Sequence, residues 1–355
     1  QKNCATELAV KYGCRRKRSK MSNDLMMNIL NSVLQAQLDK SRAGGLTDSE
    51  IRDKFSEQKI KNALSEATES IASSTVKTME GTMYKRVLEE RSNVAQFVAH
   101  NSQIWEKAFV TSEAMYIIAL EAGSDINSYI STLPENQTRD KKFRYCVLGE
   151  LYGRACQQYL EIIYLVKGGF ADGAYARWRS LFELSVISEF IRKNPEEVAK
   201  AYHRASFTDD GRFGWAGVAP CFSERKKPEK IPFEEIKKQC SLSTDAWNNQ
   251  YKLANKVVHA TPQGTFDRLS VPSGPRNFTP VGHSDYGLPP PAINAAISLS
   301  MIAADYFGFV SSGDSIVYMR VLTKWANLIR KYYAEIEAKC FGETNKDIGL
   351  HELQN

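Results

Sequence analysis

Apolar residues recur every three or four positions along most of the chain, the spacing of one face of an α-helix. Asp24–Lys40 reads as a first amphipathic helix, stopped at Ala43-Gly44-Gly45. Thr47, with Glu50 three residues on, has the spacing of a capping box and predicts a new helix start. From there to about Ser92 the chain is polar. Ile60, Leu64, Ala67 and Ile71 keep heptad spacing, and Met79, Met83 and Val87 continue a thin stripe. So narrow a seam suits a partner helix or a small bundle, and it predicts an N-terminal helical arm rather than a self-sufficient core.

Denser apolar patterns begin near residue 93. Val94–Ala122 is rich in Phe, Trp, Tyr and Ile, and Arg139–Lys167 reads as a long helix ended by Gly168-Gly169. Asp172–Asn194 follows, ended by Pro195, and Pro195–Ser206 is a short element. Residues 207–231 read as a loop, Thr244–His259 as a helix, and Thr261–Pro291 as a long Pro/Gly-rich loop. Ala292–Ser311 and Ser315–Cys340 close the pattern. Thr265–Val271 and Asn277–Val281 carry weak strand signals that allow a short β-ribbon beside the prolines. The pattern predicts an all-α protein: a basic tail and helical arm over 1–92, a helical bundle over 93–340, and a tail over 341–355.

Composition changes this picture little. The chain has 355 residues, 43% hydrophobic and 25% charged, ordinary values for a globular protein with a sizeable core. The net charge of +6 is partly local: Lys11, Arg15, Arg16, Lys17, Arg18 and Lys20 form a basic run that suits a solvated tail or a contact with nucleic acid. Ala292–Val310 is apolar, yet it contains Asn294, Ser298, Ser300 and Asp305, so it reads as a buried core helix rather than a membrane span. Residues 1–20 lack the apolar core of a secretory signal. Seven scattered cysteines without a C-x-x-C pair fit a reducing cytoplasm. They argue against a zinc ribbon, and the five histidines show no metal-ligand spacing. No cofactor or metal is expected.

The segment KGGFADGAYARWRSLFELSVISEFIRKNP, residues 167–195, is the densest candidate for chemistry. Arg179 and Glu183 stand four residues apart among Leu181, Phe182, Leu184, Val186 and Ile187, and they can pair along the helix. That pair reads either as a bridge fixing helix register or as a cation held for an anionic ligand such as phosphate. Arg177 lies beside them. The preceding helix carries Glu150, Arg154, Gln157 and Glu161 at helical spacing, either a solvated face or one wall of a polar seam towards Arg179.

A second segment is NNQYKLANKVVHATPQGTF, residues 248–266. Tyr251, Asn255 and His259 are spaced i, i+4, i+8, which sets them on one helix face. His259 is expected in the last helical turn, where the macrodipole favours an imidazolium, and Pro262 is expected to close that helix. A histidine near an arginine is the minimum for metal-independent RNA cleavage. The same histidine can equally be a satisfied structural one.

The two segments together resemble a bacterial family of all-helical domains of unknown function. The residues carrying the likeness are Arg179, Ser180, Leu181 and Glu183, then Tyr251, Leu253, Ala254, Val258, His259, Ala260 and Thr261, and it spans roughly 93–312. That family is loosely similar to the HEPN-type domains used as ribonucleases in defence and toxin systems. The HEPN signature R-x(4–6)-H has one match, Arg276-Asn277 to His283, within a loop held by Pro280 and Gly282. Two readings follow. In the first, a cytoplasmic HEPN-like effector acts on RNA, with His259, Arg179 and Glu183 catalytic. Tyr251, Asn255, Arg177, Arg154 and Glu150 then support binding. In the second, a non-enzymatic helical module binds a protein or nucleic-acid partner, or a second copy of itself, through its N-terminal arm. Neither needs a membrane.

Overall fold

A computed structural model describes residues 32, 35–208, 213–225, 230–259, 261–272, 280–310 and 312–342. The basic run at 11–20, most of the Asp24–Lys40 helix, Ala260, Arg276, Asn277 and the tail beyond 342 lie outside these residues. The chain divides into two compact units, 1–95 and 96–355.

In the first unit, residues 35–43 are helical and end at Gly44-Gly45, as the spacing predicts. Helix α1, Asp48–Lys54, opens on the capping box: Thr47 Oγ1 accepts from the Glu50 N–H at 3.4 Å, and Glu50 accepts from the Thr47 N–H at 2.8 Å. Helix α2 runs from Glu57 to Thr132. Its residues up to Ala95 carry Ile71, Val76, Met79, Met83, Tyr84, Val87 and Leu88, all exposed. Nothing apolar in this stretch is fully buried among the described side chains.

The second unit holds the core. From Trp105 onward α2 buries a side chain every three or four residues: Trp105, Phe109, Ser112, Met115, Ala119, Ala122 and Ile126. Against it pack α3 (Lys142–Lys167), α9 (Pro289–Val310) and α10 (Gly313–Phe341), and α4 (Ala171–Lys193) packs on α3 and α9. Tyr152 and Tyr159 of α3 donate to the α2 carbonyls of Ala119 at 2.6 Å and Ser112 at 3.0 Å. Gly123 makes room for this approach, because a Cβ there would lie 2.7 Å from the Tyr152 ring. The shorter helices α5 (Glu196–Ala205), α6 (Phe233–Lys238), α7 (Asp245–Val258) and α8 (Pro262–Phe266) flank the bundle, with α7 and α6 against α4 and α5 against α3.

Helix α9 is long and apolar enough to cross a membrane, but most of it is buried inside the fold. Most of its polar groups are matched there, the buried Asn294 Oδ1 being without a partner among the described residues. Asn294 donates to Gln250 Oε1 at 3.0 Å, Ser298 accepts from the Trp178 indole at 3.1 Å, and Asp305 pairs with Arg192 at 2.6 Å. Burial outweighs the Arg192 contribution and raises the Asp305 carboxyl to about 6.

Two expectations are corrected. The described residues contain no strand. Thr265 and Phe266 belong to α8, and Asn277 lies outside the described residues, so the β-ribbon is replaced by a helical turn. The prolines also act at helix starts rather than stops. Pro262 is the first residue of α8, capped by Thr261 Oγ1 accepting from the Gly264 N–H at 3.0 Å. Pro289, Pro290 and Pro291 form the first turn of α9. The first N–H groups of a helix have no intrahelical acceptor, so proline loses nothing there.

Candidate functional site

Helices α4 and α7 meet along a polar seam set in aromatic surroundings. Arg179 stands on α4 one turn before Glu183, and Tyr251 and Asn255 stand one turn apart on α7. The periodicity that buries Trp178, Phe182, Trp247 and Ala254 sets these four residues at the edge of the contact. Arg179 Nε donates to Asn255 Oδ1 at 2.5 Å, and Nη2 donates to Tyr251 Oη at 3.2 Å. Nη2 also pairs with Glu183 Oε1 at 2.9 Å, and Tyr251 Oη donates to the same oxygen at 2.7 Å. The four groups therefore close into one network. The Arg179 and Glu183 side chains remain 27% and 29% exposed, so solvent reaches the seam.

The guanidinium is held by its Nε and Nη2 edges. Among the described residues Nη1 has no partner. The Arg179 guanidinium also lies 5.4 Å from the centroid of the Tyr251 ring. Burial, together with the hydrogen bond and charge of Glu183, pushes the Tyr251 phenol well above its ordinary range, although Arg179 opposes the shift. Tyr251 accordingly stays protonated and serves as a donor to Glu183.

Sequence patterning did not single out Lys237. It is buried, its Nζ sits 5.0 Å from the Tyr251 ring centroid, and it pairs with Glu234 at 2.6 Å. Its segment FEEIKK reads as a solvated charged turn. The one available signal is the i, i+3 spacing of Glu234 and Lys237.

His259 departs from the expected ladder. The α-helix ends at Val258, and His259 is the C-cap with extended backbone, φ −92° and ψ 147°. Its N–H still donates to the Asn255 carbonyl at 3.0 Å, the last backbone bond of the helix. The residue is exposed. Among the described residues no hydrogen bond or ion pair joins its imidazole to Arg179 or Glu183.

The other candidates are distributed elsewhere. Arg177 is bound to Glu161 of α3, which also accepts from Gln157 at 3.1 Å. The α3 stripe thus turns Glu161 towards Arg177 and not towards Arg179. Glu150 and Arg154 are exposed on α3, with Arg154 close enough to Tyr202 of α5 for its charge to act on that phenol. His283 Nδ1 lies 2.8 Å from the Gly168 carbonyl, and its ring stacks on Phe97 at 5.0 Å. This fastens the loop around 283 to the turn after α3. The described residues hold no group of three or more His, Cys, Asp or Glu arranged for a metal ion.

The sequence profile of a family of unknown function, DUF5677, matches residues 145–213. The matched stretch includes Arg177, Arg179 and Glu183 and ends before Tyr251, Asn255 and His259. No curated protein and no solved structure matches the chain.

Proposed function

We propose that this chain is a HEPN-like helical effector, of the kind used in bacterial defence and toxin systems, that acts on RNA without a metal ion. The observation that carries the reading is the held guanidinium of Arg179. Three partners fix its Nε and Nη2 edges and leave Nη1 for a ligand, and the exposed His259 caps the helix that carries Tyr251 and Asn255. A phosphodiester on Nη1 would be oriented before reaction begins, which is what electrostatic stabilisation of a transition state requires.

In the reaction, the 2′-oxygen of a ribose bonds to the adjacent phosphorus and the bond to the 5′-oxygen breaks. His259 takes the 2′-hydroxyl proton while water protonates the departing 5′-oxygen, or water takes the first proton and His259 supplies the second, and Arg179 neutralises the charge on the phosphorane. Glu183, Tyr251 and Asn255 hold Arg179 in register. End-labelled single-stranded RNA incubated with the full chain in excess chelator tests the chemistry. The expected products carry 2′,3′-cyclic phosphate and 5′-hydroxyl ends. Cleavage that stops in chelator, or intact RNA at high enzyme concentration, would falsify the reading.

One observation favours the second reading, a non-enzymatic interaction module. The α2 residues before Ala95 expose seven large apolar side chains, a surface suited to a partner protein or a second copy. On that reading the Arg179 network is a structural lock between α4 and α7.

A further inference from the structure

A second feature lies away from the Arg179 seam and does not rest on its reading. A groove of about 430 Å³ runs between α5 and the 3-10 turn Gly214–Val218. Lys200 and Arg204, four residues apart on α5, stand on one wall, with Glu197 a turn earlier. Ala201, Trp215 and Val218 supply the apolar surface. Trp215 is fixed by edge-on contacts with Tyr202 at 4.8 Å and Phe190 at 6.0 Å.

The charge balance of this groove is uneven. Among the described residues neither Lys200 nor Arg204 is paired with a carboxylate. Lys200 instead lies 5.8 Å from the Phe143 ring centroid. Elsewhere on the same surface arginines do find acids, as Arg144 does with Glu196 at 3.2 Å. Two cations one helical turn apart match the oxygens of a phosphate. The adjoining apolar surface with an indole edge suits a flat base, and a groove of this volume is within the range of roughly 300–1,000 Å³ typical of small-molecule sites. Glu197 can accept from a ribose hydroxyl or an exocyclic amine, whereas it would repel an acidic peptide.

We propose that this groove binds a nucleotide, with the phosphate on Lys200 and Arg204 and the base against Ala201, Trp215 and Val218. The nucleotide can be free or one unit of an RNA strand. The test measures binding of fluorescently labelled ATP and of a short oligoadenylate to the full chain, with AMP and inorganic phosphate as competitors. The Lys200→Ala/Arg204→Ala variant is expected to bind at least about tenfold more weakly, as loss of charge-assisted phosphate contacts requires. Its thermal unfolding should be unchanged, because both side chains reach solvent. Binding of labelled ATP that AMP displaces assigns the groove to a free nucleotide, and binding of oligoadenylate alone assigns it to an RNA strand. The control variant Arg320→Ala/Lys324→Ala, which removes two exposed cations of α10, must bind as wild type, which ties the loss to this groove rather than to net charge. Unchanged affinity in the double variant, no binding of either labelled probe, or inorganic phosphate competing as well as AMP would overturn the proposal.

Discussion

Arg179 and His259 carry different weights in the fold, and that difference can be measured. Tyr251→Phe removes the hydroxyl that joins Arg179 to Glu183. Losing a hydrogen bond to a charged group in a half-buried seam costs about 1–3 kcal/mol, so the variant should melt several degrees below wild type. His259→Ala removes an exposed ring with no partner among the described residues and should leave the melting temperature where it is. A scanning calorimeter that ranked these two variants the other way round would reverse the assignment of lock and free group. Asp305 gives a second test at this scale. Its carboxyl is raised from 3.8 to about 6 by burial, so its ionisation opposes folding. Its contribution to stability is fullest below pH 3.8, declines as pH rises towards 6 and levels off above. The stability of wild type relative to Asp305→Asn should therefore fall between about pH 4 and 6. A flat difference would mean that Asp305 titrates normally.

Among the elements, the turn after α3 shows how much a single backbone position decides. Gly169 has φ +77°, and a Cβ there would lie 2.6 Å from the Phe97 ring and 2.7 Å from the Ser284 carbonyl oxygen. Gly169→Ala should cost at least about 2 kcal/mol from strain and displacement together, read as a lower denaturant midpoint with an unchanged slope. The sequence placed this turn correctly, because Gly-Gly after a periodic apolar run is a strong stop signal. It also paired Arg179 with Glu183, since both stand on one helix at i, i+4. It misread Pro262 and Pro289, because proline marks a boundary without saying on which side the helix lies. It extended the α7 ladder to His259 for the same reason: spacing cannot show where hydrogen bonding stops. Lys237 stayed hidden because its contact with Tyr251 joins two different helices, and spacing within one element does not show how neighbouring elements pack.

Across the whole molecule, the core is unevenly shared between the two units. Among the described residues Ile51 is the one buried apolar side chain before Trp105. A chain lacking residues 1–92 should accordingly keep a cooperative unfolding transition by circular dichroism, and a broad, non-cooperative loss of signal would show that the bundle needs the arm. The helical class was legible from periodicity alone, as 3.6-residue spacing dominates the pattern. The closure of the α4–α7 seam was not, because it depends on a tertiary crossing that brings Arg179 to Tyr251.

The measurement bearing most directly on the account is the rate of RNA cleavage by His259→Ala against wild type, at matched melting temperature and in excess chelator. A general acid or base contributes about a hundredfold to ten-thousandfold, so the variant should lose at least about a hundredfold in rate while remaining folded. Equal rates for the two proteins would contradict the account.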